Sequence, residues 1–255
     1  MREEIRVFFT ALMFYTRIPC PSWVDHSAEY LNKATRYFPL IGWIVGGISA
    51  GVFALCHLVL PVVPSIILAI SAGVMATGAF HEDGFADVCD GIGGGWTPER
   101  ILDIMKDSRV GAYGAIGFML LLAAKISALA VLPPAVLIHA LLAGHPLSRL
   151  FAALFIRFLP YVRADEQSKA KPVAKAFPTG ALVVAVVLGL IPLLGWAVLT
   201  PQVLIAVAPA LVAWVYLRRL FVRNLGGYTG DCLGATQQLT ETAFYLGIAA
   251  VWTSI

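Results

Sequence analysis

Two stretches of this chain, 38–60 and 62–80, contain no Asp, Glu, Lys or Arg, and only a turn around Pro61 and Pro64 separates them. Few features constrain a fold more tightly. About 20 apolar residues in a helix cross the ~30 Å hydrocarbon core of a bilayer, and a backbone in lipid must satisfy its own hydrogen bonds, which leaves helices or closed barrels. The rest of the composition agrees. Of 255 residues, 59% are hydrophobic and 13% charged, with a mean hydropathy of +0.83. A soluble domain carries roughly 25% charge, so this chain has too few polar side chains to clothe a water-soluble core.

Five more apolar segments follow at 112–132, 134–156, 180–199, 201–217 and 236–255, giving an expected all-α, polytopic membrane bundle of about seven transmembrane helices. Paired segments turn at prolines, Pro133 and Pro134 in one case and Pro201 in another. With no internal repeat and no low-complexity linker, 1–255 reads as a single domain. The stretch 5–15 is apolar but short and lacks a small-residue cleavage site, so an interfacial helix is expected there instead of a signal peptide. Gly42 with Gly46, and Gly47 with Gly51, repeat at four-residue spacing; such small residues permit close helix packing, within the monomer in preference to a dimer contact. Association of copies into a homo-oligomer stays open.

The formal net charge is +3, and position explains it without nucleic acid. Of the 18 Lys and Arg, five precede residue 38, three fall in 81–111, five in 157–179 and three in 218–235; only Lys125 and Arg149 lie inside apolar segments. The alternate connections carry none. The positive-inside rule then puts the basic segments in the cytoplasm and the C-terminus outside, as in a bacterial inner membrane. The four cysteines, Cys20, Cys56, Cys89 and Cys232, are far apart and read as free thiols.

Seven of the 15 acids lie between Glu82 and Asp107. In His81-Glu82-Asp83-Gly84-Phe85-Ala86-Asp87-Val88-Cys89-Asp90, a helix continuing from 62–80 puts Asp83, Asp87 and Asp90 on one face, with Glu82 on a neighbouring one. Stacked carboxylates repel. A hard divalent cation offsets that repulsion, and Mg²⁺ in particular takes carboxylate oxygens and completes its shell with water and substrate phosphates. A second set, Lys106, Asp107, Ser108 and Arg109, sits where the chain re-enters the membrane, its cations suited to phosphate oxygens. Glu99 and Asp103 read as the polar stripe of an amphipathic helix. A third set, 223–235, places Asp231 among Gly226, Gly227, Gly230 and Gly234, a backbone able to wrap an anion. Within the apolar segments, Lys125, His145 and Arg149 are costly to bury and so are functional candidates. His57 and His139 read as ordinary packed or interfacial histidines.

The combination HEDGFADVCDGIGGG, IMKDSRVGAYG and RNLGGYTGDCLGA, in that order, resembles the cobalamin synthase family, the adenosylcobinamide-GDP ribazoletransferases of vitamin B12 assembly. The resemblance covers nearly the whole chain. It implies a membrane transferase using Mg²⁺ that joins the ribose 3′-hydroxyl of α-ribazole, or of its 5′-phosphate, to adenosylcobinamide-GDP and releases GMP. Its motifs fall on Glu82, Asp83, Asp87 and Asp90, on Lys106, Asp107, Ser108 and Arg109, and on Gly227, Thr229, Gly230 and Asp231, the glycines and Thr229 of the last as substrate contacts. The chemistry of these residues gives the expected roles: Asp83, Asp87 and Asp107 hold the metal with Glu82 or Asp231 completing the shell, Asp90 acts as base beside Asp87, and Lys106, Arg109 and Arg149 meet the pyrophosphate of the substrate. No family motif can be matched in 163–175. Two other readings are weighed: a CDP-alcohol phosphotransferase of phospholipid synthesis, which keeps the metal and changes the substrate, and an ion-coupled transporter. The transporter needs acids near the midplane, and here they cluster at segment ends.

Overall fold

The computed structural model describes residues 2–24, 27–163 and 177–253, and these form eleven α-helices with two short 3₁₀ turns. In chain order the helices are α1 (Arg2–Tyr15), α2 (Ala28–Ala34), α3 (Phe38–Cys56), α4 (Val62–Thr77), α5 (Phe80–Gly94), α6 (Pro98–Ile104), α7 (Ala112–Ala130), α8 (Pro134–Phe158), α9 (Thr179–Leu199), α10 (Val207–Leu225) and α11 (Gly230–Thr253). Prolines stand in the first turns of α3, α6 and α8, where a missing N–H costs nothing and a fixed φ suits the helix. Most of the basic loop expected at 157–179, including its lysines and all but the first residue of 163–175, lies outside the described residues, as do the last two positions of the expected 236–255 segment.

Five segments are long and apolar enough to cross a membrane: Glu29–Cys56, Ala112–Ala130, Pro134–Phe158, Thr179–Leu199 and Pro201–Leu225. Counting α4 and α5 together as one broken span makes six. The all-α polytopic bundle is as expected, and two of its helices differ from plain apolar spans. The helix expected to continue from 62–80 into the acidic motif instead stops at Thr77 and restarts at Phe80 after a bend of 91°. Gly78 (φ +66°) and Ala79 (φ +59°) make the break in the left-handed region, where their N–H groups return to Met75 O and Val74 O. That is a common way to end a helix, with the αL position normally reserved for glycine. The second difference concerns α11, which is less apolar than those segments because its Gln237, Gln238, Thr240 and Glu241 are buried in protein.

Buried α11 runs the length of the bundle. Near its start Gly234 lies against His81 and Gly84 of α5, and near its end Gly247 lies against Ala206, in the turn before α10. Around it, α3 and α8 cross closely because Gly42 faces the backbone of His145 and Pro146, and Gly46 faces Leu141 O. That pair packs within the monomer, as expected; Gly47 and Gly51 face open space. On α9 the side chains of Val183, Val187, Ile191, Leu194 and Val198 point outward, as a lipid-facing surface requires. The N-terminal helix α1 buries Val7, Ala11, Leu12 and Tyr15 against the bundle, and Glu3 and Glu4 pair with Lys33 and Arg36 of the α2 region. All four cysteines are free thiols.

Candidate functional site at the charged end of the bundle

Helix α5 sets out the acidic motif one turn at a time, with Asp83 exposed, Asp87 half-buried and Asp90 buried. Because α5 turns 91° away from α4, it lies across the starts of α7 and α11 and outside the apolar spans. Close approach to α11 depends on Gly84: a Cβ there would stand 2.9 Å from the Cα of Asp231 and 3.0 Å from its carbonyl oxygen. Asp231, in the first turn of α11, is thereby brought beside Asp83 and Asp87. Arg163 reaches in from the strap after α8, donating from Nη2 to Asp231 Oδ2 at 2.7 Å and to Met105 O at 3.3 Å.

The carboxylates feel one another. Burial first, then the neighbouring Asp231 and Asp83, push the Asp87 carboxyl up to about 7, against the lowering influence of Arg163. Burial also raises Asp231, opposed by Arg163 and by the Thr229 hydroxyl. Among the described residues no group of three or more His, Cys, Asp or Glu is drawn together tightly enough to hold a metal ion by itself. The donor chemistry still suits Mg²⁺, which characteristically uses one or two carboxylates and takes its other ligands from water and substrate phosphates.

Other residues expected at the site stand elsewhere. Asp90 accepts from the backbone N–H of Gly111 at 2.7 Å and of Gly114 at 2.9 Å, so both its oxygens are engaged in capping α7. Glu82 turns to the far side of α5, where Gln238 Nε2 donates to its Oε1 at 2.8 Å. Asp107 forms a paired contact with Arg109, whose Nη2 donates at 2.6 Å. These hydrogen bonds hold its carboxyl down at about 2. Lys106 and Arg109 occupy the exposed connection between α6 and α7. Gly227 is explained by packing and not by a ligand: a Cβ would collide with Pro160 O, because Tyr228 pairs with the strap at 160–162. Buried Thr229 accepts from Cys232 N at 3.3 Å and donates to Asp231 Oδ2 at 3.4 Å. Gly230 alone of the three faces open space.

Arg149 is also reassigned. It is fully buried, its guanidinium over the Phe38 ring and its Nη1 donating to His145 O at 3.0 Å, so it belongs to an internal polar array instead of the acidic face of α5. At the centre of that array Lys125 Nζ donates to Glu241 Oε1 and to Gln238 Oε1, each at 2.8 Å. His145 Nδ1 lies 2.9 Å from Glu241 Oε2, which also accepts from Gln237 Nε2 at 2.6 Å. Lys125, His145 and Arg149 were legible as candidates, whereas Arg163, Gln237, Gln238 and Glu241 were missed. The signal for three of them was available: a lysine inside an apolar segment needs a buried partner, and α11 is the helix with polar groups to offer.

The chain matches the profile of the family described as Cobalamin-5-phosphate synthase over residues 7–249. It is 47% identical over 250 residues to the adenosylcobinamide-GDP ribazoletransferase of Shewanella woodyi, covering 96% of each chain. It is 46% identical over 255 residues to that of Shewanella frigidimarina, covering 99% of this chain and 97% of the relative. No solved structure matches it.

Proposed function

The chain belongs to the cobalamin-5-phosphate synthase family, and from that premise we propose that it joins adenosylcobinamide-GDP to α-ribazole, or to α-ribazole 5′-phosphate, and releases GMP. The observation that carries the reading is the meeting of Asp83, Asp87 and Asp231 beside Arg163 at the charged end of the bundle. In the reaction the ribose 3′-oxygen forms a bond to the phosphorus on the cobinamide side of the pyrophosphate, the bond from that phosphorus to GMP breaks, and the hydroxyl proton leaves. Such transfers depend mainly on positioning and on neutralising charge around the phosphoryl group.

Asp83 and Asp87, one turn apart on α5, would hold Mg²⁺, which when bound supplies Lewis-acid neutralisation of the pyrophosphate oxygens. Arg163 is placed to meet those same oxygens, and Lys106 and Arg109 on the exposed α6–α7 connection can extend the cationic surface toward the GMP leaving group. Asp90 cannot serve as base while both its oxygens bind backbone. We assign proton removal to Asp231, a half-buried carboxylate with a raised affinity for protons, in keeping with the tuning a general base needs. The distribution of Lys and Arg supports a reading in which this end of the bundle faces the cytoplasm from an inner membrane.

Purified protein in liposomes, given adenosylcobinamide-GDP, α-ribazole 5′-phosphate and Mg²⁺, is expected to yield GMP and the joined cobalamin product in equal amounts. Folded protein that releases no GMP refutes the assignment. Asp231→Asn is expected to lower kcat without changing the Mg²⁺ requirement, whereas Asp83→Asn raises that requirement. The opposite pattern exchanges their roles.

A further inference from the structure

Under the α4–α5 bend, among α3, α4, α5, α7, α8 and α11, lies a cavity with about 20 Å³ of room for water centres. Its wall includes Ser49, His81, Glu82, Lys125, Arg149 and Glu241. Five polar atoms on this wall are buried without a hydrogen-bond partner: Ser49 Oγ, His81 Nε2, Glu82 Oε2, Arg149 Nε and Tyr245 Oη. Ser49, His81, Arg149 and Tyr245 are each at most 1% exposed. A buried polar group left unpaired costs ~1–3 kcal/mol, so five converging on one space demand a common partner.

The chemistry of the five atoms selects that partner. Arg149 Nε can only donate, the Glu82 carboxylate can only accept, and the serine and tyrosine hydroxyls and the imidazole can do either. A cation would face the guanidinium, and an anion would face Glu82. The formal charges around the space balance, Lys125 and Arg149 against Glu82 and Glu241, so a charged guest gains nothing from the wall as a whole. A neutral molecule that both donates and accepts serves all five, and the volume limits it to the size of water, which needs about 10–15 Å³ by this measure and two to four polar partners. We propose that the cavity is a built hydration site, taking one or two ordered waters that bridge the first turn of α5 to Ser49 of α3 and Arg149 of α8. Direct bonds join α5 to α11 through Glu82 and Gln238. The waters supply the corresponding link to the opposite wall. This site stands whatever reaction the acidic helix serves.

Hydroxyl-radical footprinting by synchrotron X-rays tests it on the full chain in detergent, because radiolysis of a bound water labels side chains that bulk solvent does not reach. Tyr245 and His81, both on the cavity wall, are expected to label severalfold faster than Tyr228, which is equally buried but away from the cavity. In Ser49→Leu, which fills the space, both rates fall to that of Tyr228, exposed Tyr113 is unchanged, and Tm drops because the remaining polar atoms lose their partner. Wild-type labelling of Tyr245 and His81 no faster than Tyr228 overturns the proposal. So does a rise in Tm for Ser49→Leu, the response of a dry void. If that variant does not fold, the wild-type rates decide the question alone.

Discussion

Asp87 carries the most consequence per atom. Its carboxyl binds a proton up to about pH 7 in the folded chain and only to about 3.8 in an unfolded one, so between those values the folded state holds more protons and loses stability as pH rises. Asp87→Asn removes that penalty. It is expected to abolish turnover, leave the helical circular dichroism intact, and raise the Tm of the metal-free protein by about 2–4 °C, the equivalent of ~1 kcal/mol after discounting for a half-exposed site. Retained turnover removes Asp87 from the metal set. The same proton competes with a cation, so the Mg²⁺ concentration for half-maximal activity should climb roughly tenfold per pH unit below about 7 and level off above it. A flat Mg²⁺ requirement from pH 5.5 to 8 contradicts this. At Gly84, an added methyl meets backbone of Asp231 that cannot swing away. Gly84→Ala is expected to cost ~1–3 kcal/mol by overpacking and to lower activity by prising α5 from α11; an unchanged Tm and rate show that α5 is free to move.

At the scale of elements, α7 begins where Asp90 accepts two backbone N–H groups. A carboxylate in that role stabilises a helix start by about 0.5–2 kcal/mol. Asp90→Asn keeps one acceptor and loses the other, so it should lower Tm while retaining a measurable rate; complete inactivation with unchanged Tm returns Asp90 to the chemistry. The acidic helix itself was legible from the spacing of Asp83, Asp87 and Asp90, and the structure keeps them in one helix. Its direction was not. Gly78 and Ala79 sit inside an unbroken apolar run, and nothing local distinguishes a glycine that packs from one that turns the chain through 91°. The roles of Gly227 and Thr229 were hidden for a related reason. A glycine needed to pass Pro160 and a glycine needed to cradle an anion look alike until the strap after α8 is in place.

For the whole molecule, orientation and internal charge are the quantities to measure. The basic ends predict that Ser108→Cys, on the exposed α6–α7 connection, reacts with an impermeant maleimide in inside-out vesicles and not in intact cells, read at position 108 by mass spectrometry. The reverse labelling inverts the topology. Inside the bundle, Glu241→Leu leaves Lys125 without a counter-ion, with Gln238 as its remaining partner, and should cost ~3–5 kcal/mol, whereas adding Lys125→Met should recover much of the loss. A double variant as unstable as the single one shows that the pair is not coupled as its 2.8 Å contact implies. The apolar segments were readable as membrane helices because lipid leaves a composition that averages over many residues. The seventh, α11, is less apolar than the rest because it packs inside the bundle, and such an average reports mainly what faces lipid.

Buried α11 therefore poses a problem of assembly order. A helix carrying Gln237, Gln238 and Glu241 on its inner faces gains little by partitioning into hydrocarbon alone, where a single acidic residue at mid-depth costs ~2.5–3.5 kcal/mol. It follows α5, α7, α8 and α10 in the chain, so when it emerges from the insertion machinery the slot they form can already be waiting. The helix that brings Asp231 to Asp83 and Asp87 is then also the one that fills this slot, so those carboxylates meet only after α5, α7, α8 and α10 are in place.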